Sequence, residues 1–364
     1  MQLLSLGAAL DHGFDTVIDV RSPSEFVRDH LPGAINLPVL DDEERARVGT
    51  IYKQVAPFEA RKVGAALVAR NAAAHLEGAL AEMPGGWRPL VYCWRGGQRS
   101  GSFATILRQI GWRAEVVEGG YKAWRQVVIS ALAAPPVSPV VLLDGNTGAA
   151  KTEILRVAAA QGAQVIDLEG LANHRGSIFG AMPGGQPAQT GFESRLAEAL
   201  ARLDPARPVL IEAESATLGA LTLPKGLWRA ISAAPRLRLV VPLAERARYL
   251  ARAYGDICAD PLLLARLIDR LRPYHSAERI QHWHGLAGQG AFEALAAALM
   301  AEHYDPRYEK HRARATHRSA TLAVESLAPE TVASCAAQVI TAAEALIRGG
   351  DFADFTLDAP RGIA

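Results

Sequence analysis

Cysteine is scarce in this 364-residue chain: three residues, Cys93, Cys258 and Cys335, far apart and odd in number. No pair has the spacing of a metal clip, and no disulfide framework can be drawn from them. Such usage fits a reducing compartment. Net charge is nearly absent too, with 39 basic against 38 acidic side chains. Net charge therefore speaks neither for nor against nucleic acid, and any basic surface has to be local. Long apolar runs are missing: none reaches the roughly 18–20 residues that span a bilayer. The opening MQLLSLGAALDHGFDTVIDV lacks a basic segment before its apolar one, so no signal peptide is expected. No repeat of fixed period is visible, and a loose end is expected only after Gly349. These absences leave a cytoplasmic protein without membrane attachment as the expectation.

What is present is apolar substance and an alternating pattern. The apolar share is 49%, and the length is too great for one comfortable core. DTVIDVRS, PLVYCWRGG and AEVVEGGYKAW each read as a buried strand closed by a turn, with Ala- and Leu-rich helical stretches between them. LAAPPVSP, residues 132–139, holds three prolines in eight positions and reads as a linker. The pattern then restarts with VVLLDGNTGAAKTEIL and continues through AQVIDLEG, PVLIEAES and LRLVVPLA. After about residue 245 the chain reads as helical and richer in Arg, His and Tyr. The expected fold is α/β: a parallel-sheet domain over 1–131, a linker over 132–139, and a second α/β domain over 140–364 with a helical C-terminal part.

Two loops carry chemistry. In VYCWRGGQRSGS, Cys93 ends a strand and a helix follows, so several backbone N–H groups point at one spot and favour an anion there. Gly96 and Gly97 let the backbone curl, Arg95 and Arg99 add positive charge, and Ser100 and Ser102 can cap the helix or donate to an anion. These features would lower the pKa of Cys93 and activate it as a thiolate. The plainer reading of Cys93 is a buried thiol at a strand end. The second loop is GNTGAAKT: Gly145, Asn146, Thr147, Gly148, Ala149, Ala150, Lys151 and Thr152. It follows a strand and opens a helix, as a phosphate-binding P-loop must. Its backbone would cradle a diphosphate, Lys151 would neutralise it, and Thr152 could bind Mg²⁺. Ala150 stands where that pattern wants glycine. Glu212 or Glu214, in VLIEAES, could hold the metal or its water. No clear adenine-binding signature is present.

DVRSPSEF, DHLPGAINLP, YCWRGGQRS and VVEGGYKAW resemble, in order, the signatures of a rhodanese (sulfurtransferase) domain over roughly residues 5–130. That resemblance implies a persulfide or similar adduct on Cys93; Asp19 and Arg21 match its first motif and read more simply as a structural salt link. Taken with the P-loop, the phrases INLP, VGTIYKQ, YCWRGGQRS, EGGYKAWR and DLEGLANHRGS resemble the tRNA 2-selenouridine synthase family over nearly the whole chain. DLEGLANHRGS is the most discriminating, since neither generic rhodaneses nor generic P-loop kinases have it. The resemblance implies action on the wobble 2-thiouridine of Lys, Glu and Gln tRNAs. Sulfur is first geranylated from geranyl diphosphate at the P-loop, then exchanged for selenium from selenophosphate at the Cys93 loop. It implies Cys93 as nucleophile or carrier, Arg95 and Arg99 as anion holders, and His174 and Arg175 as active-site residues. Some family members carry a second cysteine inside the phosphate loop; Gly148 to Ala150 hold none here.

A tRNA partner needs Arg and Lys on phosphates. RYEKHRARATHR, residues 307–318, is the strongest candidate, with a solvated helical face as its plain alternative. Tyr249, Tyr254 or Tyr274 could stack on an extruded base. Cys258 and Cys335 read as packed side chains. Two rival functions stand beside the transferase: a thiosulfate sulfurtransferase fused to a P-loop ATPase or kinase, and a non-enzymatic sulfur or phosphate sensor.

Overall fold

The structure, a computed structural model, describes residues 1–312, 319–348 and 356–358. The chain forms two compact units. The first is Met1–Ala134 with Pro187–Arg202, and the second is Pro135–Gln186 with Leu203–Ala364.

In the first unit, β1 (Thr16–Asp19), β2 (Ile35–Asn36), β3 (Pro89–Tyr92) and β4 (Glu115–Val116) form a parallel sheet in the order β2-β1-β3-β4. The buried runs VID and PLVY explain β1 and β3: strands covered on both faces are apolar throughout rather than alternating. Helices Pro57–Glu77 and Gln98–Ile110 supply Leu67, Phe103 and Leu107 to the core around Val91. Trp87 and Trp112 meet edge to face at 5.1 Å.

The reading from sequence gave all of 140–364 to the second domain, whereas Pro187–Arg202 groups with the first unit. Its helix Gln189–Ala201 buries Phe192 and lays Gly191 so close to Arg28 that a Cβ would stand 2.9 Å from the Arg28 carbonyl oxygen. Arg125 pairs with Glu193 and donates to Thr190 O at 3.2 Å. Ser194 Oγ donates to Asp29 Oδ2 at 2.9 Å, beside Tyr121 OH at 2.7 Å.

The second unit holds β5 (Val140–Gly145), β6 (Gln164–Ile166), β7 (Val209–Glu212), β8 (Thr217–Leu218), β9 (Leu221–Thr222), β10 (Arg236–Val240), β11 (Ser319–Ala323) and β12 (Thr356–Asp358). Six of these form one sheet in the order β12-β11-β10-β5-β7-β6, parallel except for β12, and β8 pairs with β9 as a small hairpin. The chain enters at β5, fills one side with β7 and β6, then crosses to β10 and β11. The end of β5 is therefore a topological switch point, where α/β sheets bind ligands. β11 interrupts the region read as helical; only Ala320 and Leu322 of SATLA face inward, so no apolar run marks it.

The C-terminal helices otherwise gather round Trp283, with Ile257, Ile268 and Leu295. Helix Pro329–Arg348, whose most apolar 18-residue stretch has a mean hydropathy of 1.2, is long and apolar enough to cross a membrane by length and composition alone. Here it buries Val332, Cys335, Val339 and Leu346 in the core beside the sheet. That places Cys335 among packed side chains, as expected.

Candidate functional sites, one in each unit

Cys93 follows β3 directly and is 4% exposed. The VVEGGYKAW phrase earns its glycines here. Gly96 and Gly120 adopt φ of +64° and +58°. A Cβ on Gly120 would stand 2.2 Å from Cys93 O, and one on Gly96 would stand 2.5 Å from Val117 O. Tyr121 N–H then donates to Cys93 O at 2.9 Å and Lys122 N–H to Trp94 O at 3.0 Å, locking the loop onto the next helix.

Burial opposes the Cys93 thiolate. Donation from Ser100 Oγ, the backbone N–H groups of Ser100 and Arg95, and the charge of Arg99 outweigh it, so the thiol titrates below its ordinary value. The Ser100 Oγ–Cys93 Sγ distance is 3.2 Å. Ser100 thus serves the sulfur, and the Arg99 charge is shared, since its Nη1 donates to Glu25 at 3.0 Å. Arg95 is exposed at the loop tip. Asp19 and Arg21 form the buried salt link expected of them, at 2.6 Å. Ser100→Ala is expected to raise the pH midpoint of Cys93 alkylation by about half a unit to one unit, since a donor to the thiolate is lost. Iodoacetamide labelling across pH, read by peptide mass spectrometry, checks this; an unmoved midpoint would assign the low value to the backbone N–H groups and Arg99.

In the second unit, β5 runs into the P-loop and helix Lys151–Ala160 leaves it. Ala150 caps that helix with φ 55° and ψ 28°. The position demands left-handed backbone, which is why the pattern prefers glycine; alanine tolerates it at about 1 kcal/mol. Gly148 has φ +82°, and a Cβ there would meet Arg246 O at 2.9 Å. Arg246, buried, donates to Thr147 O at 3.1 Å and to both Asp305 oxygens at 3.0 and 2.8 Å. Sequence reasoning missed this clamp, because Arg246 and Asp305 lie 59 residues apart.

Lys151 Nζ donates to Gly145 O at 3.0 Å. Burial works against its charge, but Tyr308 and the carboxylates of Glu214, Asp144 and Glu169 hold the ammonium above its ordinary value. Thr152 Oγ1 lies 2.9 Å from Glu169 Oε2 and 3.0 Å from Glu212 Oε2. One hydroxyl has one proton to give, so a protonated Glu212 donates to Thr152 while Thr152 donates to Glu169. The electrostatics agree. Burial, then the charges of Glu169 and Glu214, push Glu212 well above the carboxylate range. Burial and Glu214 push Glu169 to about 7. Burial also raises Glu214, with Lys151 opposing. Carboxylate oxygens of Glu169, Glu212 and Glu214 all lie within 4.8 Å of one another.

These groups line or adjoin a cavity of about 770 Å³ over the loop, with Lys151, Thr152, Glu169, Arg175, Glu214 and Tyr254 in its wall. DLEGLANHRGS builds the facing side. Asp167 caps helix Leu168–Ala172 by accepting from Gly170 N–H at 2.7 Å, Asn173 turns the chain at φ 47°, and Glu169 reaches Thr152. Arg175 lies over the Tyr254 ring at 4.7 Å and pairs with Asp256 at 3.1 Å. His174 does not line the cavity. Its ring is pressed between glycine turns, where a Cβ on Gly180 or Gly219 would stand 2.8 or 2.9 Å away. Of the pair expected at the site, Arg175 faces the cavity and His174 packs the turn behind it.

Of the three tyrosines read as base stackers, Tyr249 and Tyr254 both line this cavity, and Tyr274 is exposed with Arg307 over its ring at 4.6 Å. Of the basic stretch 307–318, the part up to Arg312 is helical, and 313–318 lie outside the described residues. Cys258, at the end of helix Gly255–Cys258, is half-buried, and burial raises its thiol pKa.

Comparisons with known proteins find a match for each unit. A rhodanese-like domain model matches residues 4–127, and a model of the tRNA 2-selenouridine synthase AAA domain matches residues 138–261. The tRNA 2-selenouridine synthase of Chromohalobacter salexigens is 34% identical over 325 residues, covering 80% of this chain and 86% of that protein. Those of Alcanivorax borkumensis and Marinobacter nauticus are each 36% identical over 331 and 328 residues, covering 80% of this chain and 88% and 87% of theirs. With 34–36% identity to relatives matched over most of their length, the chain belongs to the tRNA 2-selenouridine synthase family.

Proposed function

We propose that this chain converts the wobble 2-thiouridine of Lys, Glu and Gln tRNAs to 2-selenouridine in the cytoplasm, through an S-geranyl intermediate. The observation that carries the reading is that DLEGLANHRGS brings Glu169 and Arg175 into the cavity of Lys151 and Thr152. In the first step the uridine sulfur bonds to C1 of geranyl diphosphate, the C–O bond breaks, and diphosphate leaves. Charge builds on that leaving group, and Lys151, Arg175 and the loop N–H groups supply fixed positive partners for it. In the second step the selenium of selenophosphate bonds to C2 of the base, the C–S bond breaks and geranyl thiol leaves in place of a poor leaving group; water then cleaves the P–Se bond and phosphate leaves. Cys93, with its lowered pKa, acts as nucleophile: its thiolate displaces the geranyl thiol at C2 and is itself displaced by the incoming selenium, with Arg95 and Arg99 for the selenophosphate oxygens.

The test is 2-thiouridine tRNA incubated with geranyl diphosphate and selenophosphate, the nucleosides read by mass spectrometry. Geranylated and selenated uridine are expected from the wild type, and Cys93→Ala should stall after geranylation. Untouched tRNA alongside thiosulfate consumption or ATP hydrolysis would install the sulfurtransferase–ATPase reading instead. Binding without turnover of any of these would leave the sensor.

The oxygen-only set of Thr152, Glu169, Glu212 and Glu214 suits a hard cation such as Mg²⁺. Bound there, Mg²⁺ would add charge stabilisation to a departing diphosphate. A carboxyl whose folded pKa is raised favours the protonated native state, so it costs stability as pH rises from the ordinary carboxylate range through about 7, the value for Glu169. Magnesium should therefore raise the melting temperature at pH 8 by several degrees and lose that effect below about pH 6, where protons hold the site. Calorimetric melts at both pH values check this; an equal shift at both would exclude these carboxylates as ligands.

A further inference from the structure

A second, apolar cavity adjoins the one over the P-loop. The two share Thr147 of the loop together with Ser177, Leu250, Tyr254 and Tyr304. From that neck the second runs between helices Leu243–Ala253 and Phe292–Leu299, past Ile257, Phe292, Leu295 and Ala296. No charged side chain lines it among the described residues. Its volume is about 70 Å³, against the roughly 10–15 Å³ that one water position requires. This is a narrow slot, some five waters in extent.

Its chemistry selects its occupant. A purine needs hydrogen-bond partners at its ring edge and a broad cleft, and the far walls of the slot offer neither. A prenyl chain needs only carbon contacts. Thr147 belongs to both cavities, so the slot lies within reach of a ligand whose phosphates rest on the loop. We infer that this slot holds the hydrocarbon chain of the allylic diphosphate and that Phe292, Leu295 and Ala296 limit its length. The inference rests on the geranylation reading above and gives it a place for the ten-carbon chain.

The experiment measures Kd for inorganic diphosphate, geranyl diphosphate and farnesyl diphosphate by titration calorimetry on the full chain. Wild type is expected to hold geranyl diphosphate at least about a hundred-fold more tightly than inorganic diphosphate, from burial of several methylene equivalents. Ala296→Phe, which fills the slot, should bring geranyl diphosphate within about tenfold of inorganic diphosphate while leaving the latter unchanged. Phe292→Ala, which opens it, should move the farnesyl-to-geranyl preference about tenfold toward farnesyl. Should Ala296→Phe also lose inorganic diphosphate, its fold is compromised and the ratio in Phe292→Ala decides. A wild type that prefers geranyl diphosphate, with that ratio unmoved in the variants, overturns the slot and leaves the geranylation reading standing. A wild type without any preference for the prenyl ligand overturns both.

Discussion

Lys151→Ala should lower the geranylation rate by about a thousand-fold, the order of effect seen when one preorganised electrostatic partner of a developing charge is removed. Selenation should fall with it, because the second step consumes the product of the first. The geometry also sets what the variant does to the fold. Lys151 is the cation facing Glu214, Asp144 and Glu169, and with Tyr308 these groups hold its ammonium above its ordinary value. Without it, Glu169 and Glu214 lose a partner that was pulling both downward. Their pKa values rise further, and they take up protons rather than unfold the unit. Stability should then fall more steeply with rising pH than in the wild type, because more protons must be given up above neutrality. Melts at pH 6 and pH 8, beside nucleoside mass spectrometry, check both halves. A variant that geranylates within tenfold of wild type would remove the lysine from the leaving-group site.

Arg21→Ala should cost the first unit about 3–5 kcal/mol, the range for breaking a buried ion pair from one side. Arg21 and Asp19 are 1% and 0% exposed. The guanidinium donates from Nε to Asp19 Oδ1 at 3.0 Å and from Nη2 to Asp29 O at 2.6 Å, and it lies 3.9 Å from the Tyr121 ring centroid. Tyr92 OH donates to Asp19 Oδ2 at 2.7 Å. Truncating the arginine strands the Asp19 charge with a tyrosine and backbone donors, beneath the loop that carries Cys93. Denaturant melts followed by tryptophan fluorescence should register the loss. The double variant Asp19→Leu/Arg21→Met should lose less, because no charge is left stranded. A single variant within about 1 kcal/mol of wild type, but dead in selenation, would turn the pair from architecture into chemistry.

The sequence made the local parts of both sites visible and hid the distant ones. β1, β3, β5 and β7 were legible because strands buried on both faces are continuous apolar runs. β2 is two residues long, and SATLA buries only Ala320 and Leu322, so neither leaves a pattern. The P-loop and the cysteine loop are short stretches whose spacing carries their geometry. The Ser100 bond to Cys93 also lies within one turn of that pattern, and the sequence offered the serine only as a cap or substrate donor. The Arg246–Asp305 clamp and the carbon-lined slot join residues from separate helices, for which composition offers no signal. His174 comes from the same polar phrase as Arg175, and its ring lies between Gly180 and Gly219, a placement set by turns that the phrase itself does not spell out.

Helix Gln189–Ala201 has a consequence for synthesis on the ribosome. The first unit is encoded in two pieces, and the second piece lies between β6 and β7 of its neighbour. When residue 134 emerges, the sheet and the cysteine loop can form, but Asp29 still lacks the Ser194 hydroxyl and Arg125 still lacks Glu193. A nascent chain therefore has to carry an unfinished first unit while the P-loop strand and the DLEGLANHRGS segment are being made. A gene cut at the proline-rich stretch would part residues 1–134 from helix Gln189–Ala201 and leave Asp29 and Arg125 without those two partners.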